Sequence, residues 1–277
     1  MFNKNSKKKG RRKRVLCNLT KSVLTIATAT LFTIGTVKLS HNVQRKRIEE
    51  YTTNNLEQIM QNLEDVQGIK FIDKPKIEFE LSQDAKDHLV TNMTPVALYW
   101  PPVDTIYLKT NHLVTPKISF NDMLINLIHF GGVNNTYSVL AHELGHYHTD
   151  KIYEKIPYSN WWGVNNVKSD TIGYMLVTEG IAEHFERSLT CEGDNFSDNE
   201  WPEDYTLILD EGRLLYDGGF HLVNPIMEKY GEAGMIHLMY HLPTEDDLLN
   251  LPSYQKKIMK DLEDKYGKDD ATIIVTF

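Results

Sequence analysis

The sequence His142-Glu143-Leu144-Gly145-His146, of the form H-E-x-x-H, lies near the middle of a chain of 277 residues. Residues four apart share one face of a helix, so the two imidazoles can bind a single ion. Imidazole is a good ligand for zinc, and a catalytic zinc site uses three protein ligands and leaves a fourth position for water. Glu143 would lie beside that water and take its proton. The apolar residues around the motif would bury such a helix, and the alternative is a helix with two surface histidines.

The third ligand determines the class of metal site. In the extended pattern H-E-x-x-H-x-x-G-x-x-H, glycine and histidine would stand where this chain has Thr149 and Ile152, so that class is excluded. His148 lies off the ligand face and is predicted to be an ordinary surface histidine. Better candidates are Glu179 and Glu183, which lie four apart on a second predicted helix and repel each other unless a cation faces them. Apolar neighbours predict that this helix is largely buried, which weakens the alternative of a solvated acidic face.

The order H-E-x-x-H, then E-G-x-A-E on a second helix, resembles the gluzincin zinc metallopeptidases over about residues 95–240. The resemblance implies one zinc ion held by His142, His146 and Glu179. It also implies that the Glu183 carboxylate holds a ligand histidine from behind. The 32 residues between His146 and Glu179 are nearer the collagenase-like than the aminopeptidase-like arrangement, and they predict an insertion loop from Lys151 to Ser169.

A third stretch, which begins Tyr216-Asp217-Gly218-Gly219, is similar to the Y-x-x-G stretch of aminopeptidase-like gluzincins. The resemblance implies that the Tyr216 hydroxyl donates to the oxyanion; His221 is the alternative, because thermolysin-like members use a histidine, and core packing is the alternative for both. No stretch like G-x-M-E-N lies upstream to capture a free substrate amine, so an endopeptidase is favoured. Thr105–Leu108 is predicted as an edge strand to which an extended substrate could add.

The N-terminus has a basic head followed by an apolar segment. Residues 1–47 contain 13 Lys or Arg and no acid, whereas the remaining 230 residues contain 17 bases and 38 acids. The head, residues 1–21, precedes a predicted membrane anchor at 22–39, which would place the body outside the membrane. Cleavage of this segment, giving a secreted protein, and an intracellular protein with a basic tail are the alternatives. The acidic body argues against nucleic acid as a partner.

The order of predicted elements indicates an α+β fold, because strands come before helices rather than alternating with them. We predict a stalk or first helix at 40–67 and a zincin-like domain at 68–277, with a small antiparallel or mixed sheet followed by a mainly helical subdomain. The predicted strands are Lys76–Leu81, Ala97–Trp100, Thr105–Leu108 and the tail Ala271–Phe277. The predicted helices are Asn55–Val66, Asn121–Phe130, Thr136–Asp150, Thr171–Leu189, Tyr205–Tyr216, Pro225–Tyr230, Glu232–His241 and Ser253–Tyr266.

These patterns together predict a membrane-tethered zinc peptidase that acts on a peptide or protein substrate outside the membrane. The alternative is a regulatory or binding module on the same fold, anchored at the membrane, whose metal is structural or whose activity is lost. The sequence does not predict an oligomeric state.

Overall fold

A computed structural model of the protein describes residues 42–79, 96–109, 133–152, 169–209 and 211–267. The predicted anchor at 22–39, the predicted helix Asn121–Phe130, most of the predicted loop at 151–169 and the predicted strand Ala271–Phe277 lie outside these ranges. None of the helices within the described ranges combines the length and the apolar character that a membrane span requires.

The first helix, α1, covers the described residues 42–67 and packs along the body. Its apolar positions Ile48, Leu56 and Leu63 are buried, as the helical spacing of the sequence predicts. Near its end, the Gln67 side chain lies 2.7 Å from Nε2 of His184, so α1 is joined to the body by polar contacts as well.

Three short strands form one mixed sheet: β1 (Lys76–Glu78), β2 (Ala97–Trp100) and β3 (Thr105–Leu108). The order is β1-β3-β2, with β1 parallel and β2 antiparallel to β3. The prediction that Thr105–Leu108 is an edge strand is therefore wrong, because β3 lies in the centre with all four residues buried. The described sheet has two edge strands, β1 and β2, and β2 is the one joined by hydrogen bonds to α2. With most other described residues in helices, the predicted α+β class is confirmed.

Three long helices make up most of the body: α2 (Val133–Ile152), α3 (Ser169–Thr190) and α4 (Gly219–Tyr240). The short α5 (Glu245–Leu248) and the amphipathic α6 (Leu251–Tyr266) follow. Leu140, Leu144, Leu176 and Ile181 lie fully buried where these helices meet, which is the burial that the spacing of the two central motifs predicts.

Glycines allow these helices to approach closely at the motifs. A Cβ atom added to Gly145 would lie 2.8 Å from Cα of Ala182, and one added to Gly180 would lie 2.3 Å from the carbonyl oxygen of Gly219. The small residues inside the two motifs are thus the contact points of α2 with α3 and of α3 with α4.

The segment from Tyr205 to Gly219 differs from the prediction of one helix that ends at a glycine pair. It contains a 3-10 turn, Tyr205–Leu209, and a π-helical turn, Leu214–Gly218, which leads directly into α4. The pair Gly218-Gly219 does not end a helix, because both residues have right-handed helical φ and ψ angles. Both residues pack closely, against Trp201 and Leu176 respectively. The predicted break after Tyr230 is confirmed: Gly231 has φ 52° and ψ −134°, a conformation that only glycine adopts readily.

Candidate metal centre

The structure brings the three predicted metal ligands together. His142 and His146 lie one turn apart on α2, and Glu179 lies on α3 opposite them. Nε2 of His142 is 3.2 Å, and Nε2 of His146 is 3.4 Å, from the same oxygen, Oε2 of Glu179. The three ligand atoms all lie within 4.8 Å of one another, so they could hold one metal ion.

These separations fit a tetrahedral ion. Two ligand atoms that each lie 2.0–2.1 Å from zinc, at a tetrahedral angle, are about 3.3 Å apart. Both nitrogen–oxygen distances to Glu179 are close to this value. A set of two neutral imidazoles and one carboxylate also favours zinc as the bound ion over magnesium or calcium, which prefer oxygen ligands.

The charges in this cluster favour a cation at the same point. Burial alone would lower the pKa of His142, but hydrogen bonds to Glu179, Glu183 and Glu186 outweigh it and raise that pKa well above its usual value. Burial would likewise raise the pKa of Glu179, but the charge of His146 and the contacts with His142 hold it well below its usual value. Glu179 is therefore ionised at neutral pH, which is the form in which a carboxylate could bind a metal.

Two carboxylates lie at Nδ1 of His142, the ring nitrogen that does not face Glu179. Nδ1 of His142 is 3.4 Å from Oε1 of Glu183 and 3.4 Å from Oε2 of Glu186. The Ser138 hydroxyl also donates to Glu186. Sequence reasoning identified Glu183 but missed Glu186, although the spacing of 179, 183 and 186 would have placed all three acids on one helix face.

His142, Glu183 and Glu186 also form a cluster of potential metal ligands. Nε of Arg187, however, lies 2.9 Å from Glu183, and a guanidinium at that distance would repel a second cation. We therefore interpret Glu183 and Glu186 as groups that orient His142 and fix its proton on Nδ1.

Glu143, which lies between His142 and His146 in the sequence, is buried and contacts the sheet. Its Oε2 accepts a hydrogen bond of 2.6 Å from the backbone N–H of Tyr99 in β2. The Tyr99 hydroxyl lies 2.7 Å from Oδ2 of Asp150, two turns further along α2, so β2 is joined to α2 at two points. Burial raises the pKa of Glu143, which suits a group that must accept a proton.

Tyr216, in the π-helical turn, lies beside His142 and is partly exposed. Its ring centroid is 6.0 Å from that of His142, and 40% of the residue is exposed. The negative charge of Glu179, followed by burial, raises the pKa of Tyr216 to about 12, so the phenol stays protonated at neutral pH and can donate. The ring of His221, the alternative, instead contacts Asp194 at 2.6 Å and Asp198 at 3.1 Å.

His148 is not the surface residue that the sequence predicts. Its side chain is fully buried, with Nε2 3.1 Å from Oε1 of Glu232 on α4. The rings of Phe71 and Phe185 lie against it, because this face of α2 packs on the rest of the body. It takes no part in the metal cluster.

Comparisons with family models, with curated proteins and with solved structures find no match to this chain. The resemblance to gluzincins therefore depends on the motif residues at 142–146, 179–183 and 216–219, and the function is inferred from their geometry.

Proposed function

We propose that the chain is a zinc-dependent peptidase with a zincin-like fold of minimal gluzincin type. One observation carries the proposal: the Nε2 atoms of His142 and His146 both meet one oxygen of Glu179, at separations that suit a tetrahedral ion. The position of Glu143, next to these ligands but hydrogen-bonded elsewhere, gives further support.

The proposed mechanism assigns one task to each side chain. A zinc ion bound by His142, His146 and Glu179 would supply a Lewis acid that lowers the pKa of water to about 7. Glu143 accepts a proton from the attacking water and passes it to the amine nitrogen as the C–N bond breaks. The Tyr216 hydroxyl donates to the oxyanion that forms at the carbonyl. The N–H of Tyr99 holds one oxygen of Glu143, which leaves the other for the water.

The edge strand β2 is the proposed support for the substrate, in place of β3. An extended peptide can pair with the edge of a sheet through backbone hydrogen bonds. The outer side of β2 lies next to Glu143, since the Tyr99 N–H on that side reaches its carboxylate. No stretch like G-x-M-E-N lies upstream to capture a free substrate amine, which favours endopeptidase activity. We also propose that residues 1–39 tether the protein to a membrane, with the body outside.

The test uses full-length protein, a library of quenched fluorescent peptides and metal analysis. Wild type should contain one zinc ion and cleave part of the library, and a chelator should abolish cleavage until zinc is restored. Glu143→Gln should keep zinc and lose roughly 10²–10⁴-fold in rate. Glu179→Ala should lose zinc. The control Glu232→Gln should keep zinc, because Glu232 lies on α4 and contacts His148, which is not one of the proposed ligands.

Three results would contradict this proposal. Undiminished cleavage by Glu143→Gln would refute the mechanism, and full zinc occupancy in Glu179→Ala would reassign the third ligand. Zinc in the wild type with no cleavage of any peptide would favour the alternative, an inactive or structural-metal module.

A further inference from the structure

Arg187 is a largely buried cation close to the metal cluster. It lies on α3, one turn after Glu183, with only 9% of its side chain exposed, and its guanidinium lies over the ring of Phe220 at 4.4 Å. A charge in such a place is costly unless it is paired and hydrogen-bonded.

The guanidinium joins three separate segments of the chain. Its Nε donates to Oε2 of Glu183 at 2.9 Å, and its Nη2 donates to Oδ1 of Asp217. Its Nη1 lies 3.5 Å from the carbonyl oxygen of Gly193, in the loop after α3. Arginine suits this place because its rigid planar fork spreads its donors over three nitrogens, each of which faces a different partner, whereas the three donors of a lysine ammonium all lie on one nitrogen.

Both of its carboxylate partners adjoin groups of the proposed site. The second oxygen of Glu183 lies 3.4 Å from Nδ1 of His142. By holding Glu183 in place, Arg187 therefore helps to orient a proposed metal ligand. Asp217 directly follows Tyr216 in the π-helical turn, Leu214–Gly218. One guanidinium thus lies between the support of His142 and the turn that carries the proposed oxyanion donor.

Charge explains why a cation is needed at this place. Glu183 and Asp217 both contact the guanidinium of Arg187, which therefore balances two negative charges that would otherwise be left without this cation. Arg213 also reaches Asp217, at 3.4 Å, but it is half exposed and its shorter contact, at 2.7 Å, is with Glu200. Arg213 shows no contact with Glu183 among the described residues, so it cannot replace Arg187 in this bridge.

We propose that Arg187 is a positioning residue, which ties the carboxylate behind His142 to the turn that carries Tyr216. Metal affinity then depends on the Glu183 side of the bridge and turnover on the Asp217 side. The turnover part rests on the proposed peptidase function, whereas the metal part does not.

The test compares Arg187→Met, Arg187→Lys and the control Arg213→Met in full-length protein. Zinc affinity is measured by competition with a chromophoric chelator, and the visible spectrum of the cobalt-loaded protein reports the ligand geometry. Arg187→Met should bind zinc about tenfold more weakly, the lower end of the effect of losing a group that supports a ligand. Arg187→Lys should lie between wild type and Arg187→Met, and Arg213→Met should stay within twofold of wild type.

Turnover adds the second readout. In Arg187→Met saturated with zinc, kcat on a cleaved library peptide should fall while KM changes little, because the oxyanion donor acts only as the reaction proceeds. If Arg187→Met does not fold, Arg187→Lys and Glu183→Gln are combined. Their effects on zinc affinity should then be non-additive, since both act through one carboxylate.

Unchanged zinc affinity and cobalt spectrum in Arg187→Met, or additive effects in the combined variant, would overturn this inference while leaving the peptidase proposal intact. Weaker zinc binding by Arg187→Met, in a protein whose wild type cleaves no peptide, would support the metal part of the bridge and refute the peptidase proposal instead.

Discussion

Tyr216 is the side chain whose loss should separate catalysis from metal binding. Tyr216→Phe removes only a hydroxyl, which makes no hydrogen bond to His142, His146 or Glu179. We expect kcat/KM to fall by roughly 10²–10³, or about 2.7–4 kcal/mol of transition-state stabilisation, with zinc affinity unchanged. The matched control is His221→Asn, which should keep activity because the ring of His221 contacts Asp194 and Asp198. Loss of activity in His221→Asn with retention in Tyr216→Phe would exchange the two roles.

His221 should instead contribute to stability in a way that depends on pH. Burial would lower its pKa, but the hydrogen bonds to Asp194 and Asp198 outweigh it and raise the pKa above 6.5. A base whose pKa is raised on folding stabilises the protein fully below pH 6.5, and this contribution is lost as pH rises through the raised value. Because Asp198 is mostly exposed, the contribution should be about 1 kcal/mol or less.

The measurement for His221 is the free energy of unfolding of wild type and His221→Gln, at saturating zinc, from pH 5.5 to pH 9. Wild type should be the more stable at the acidic end, and the difference should shrink as pH rises. Titration of the metal ligands affects both proteins alike and cancels in this difference. A difference that does not vary with pH would contradict the assignment.

How far single residues can be predicted from sequence depends on the range of the interaction. Spacing along two helices places His142 with His146, and Glu179 with Glu183, because helix periodicity is a local property, and the resemblance to gluzincins then implies Glu179 as the third ligand. Glu186 shared that periodicity and could have been found in the same way. The burial of His148 could not, because it results from Phe71 and Glu232, which come from distant parts of the chain.

At the scale of elements, the crossing of α3 and α4 at Gly180 makes a sharp prediction. In Gly180→Ala the new Cβ would lie 2.3 Å from the Gly219 carbonyl oxygen, so the helices must move apart. We expect a loss of about 1–3 kcal/mol in the free energy of unfolding, measured by urea denaturation. Zinc affinity should fall too, since Glu179 is the preceding residue.

The control for this crossing is Gly193→Ala, where an added Cβ meets nothing within 4 Å. It should change stability by much less than Gly180→Ala. Equal effects of the two substitutions would show that close helix approach at Gly180 is unimportant.

The secondary-structure elements differ in how accurately the sequence predicts them. The helices α2 and α3 were predicted to within a few residues, because an apolar stripe with a period of 3.6 marks a long helix clearly. The place of β3 in the centre of the sheet was not predicted, since its pairing with β1 joins residues far apart in the chain. The prediction that a helix ends at Gly218-Gly219 is wrong, because glycine occurs both where helices end and where helices pack closely.

At the scale of the whole molecule, the basic head and the acidic body predict different surroundings for the two ends. Full-length protein should sediment with membranes and resist extraction by alkaline carbonate, whereas a protein lacking residues 1–39 should be soluble. The truncation must stop before α1, because Ile48, Leu56 and Leu63 belong to the packed body. Full-length protein in the soluble fraction would contradict the tether and favour the basic-tailed or secreted alternatives.

The hydrogen bond from the Tyr99 N–H to Glu143 has a consequence for selectivity. The Tyr99 N–H that holds the proposed base lies on the edge of β2 that would receive the substrate, so a peptide that pairs with this N–H takes it from Glu143 and releases the base. Peptides should therefore differ mainly in the rate at which they are cleaved, kcat, and less in KM. A redesign of β2 for a new sequence preference would therefore have to restore the cleavage rate as well as the binding of the peptide.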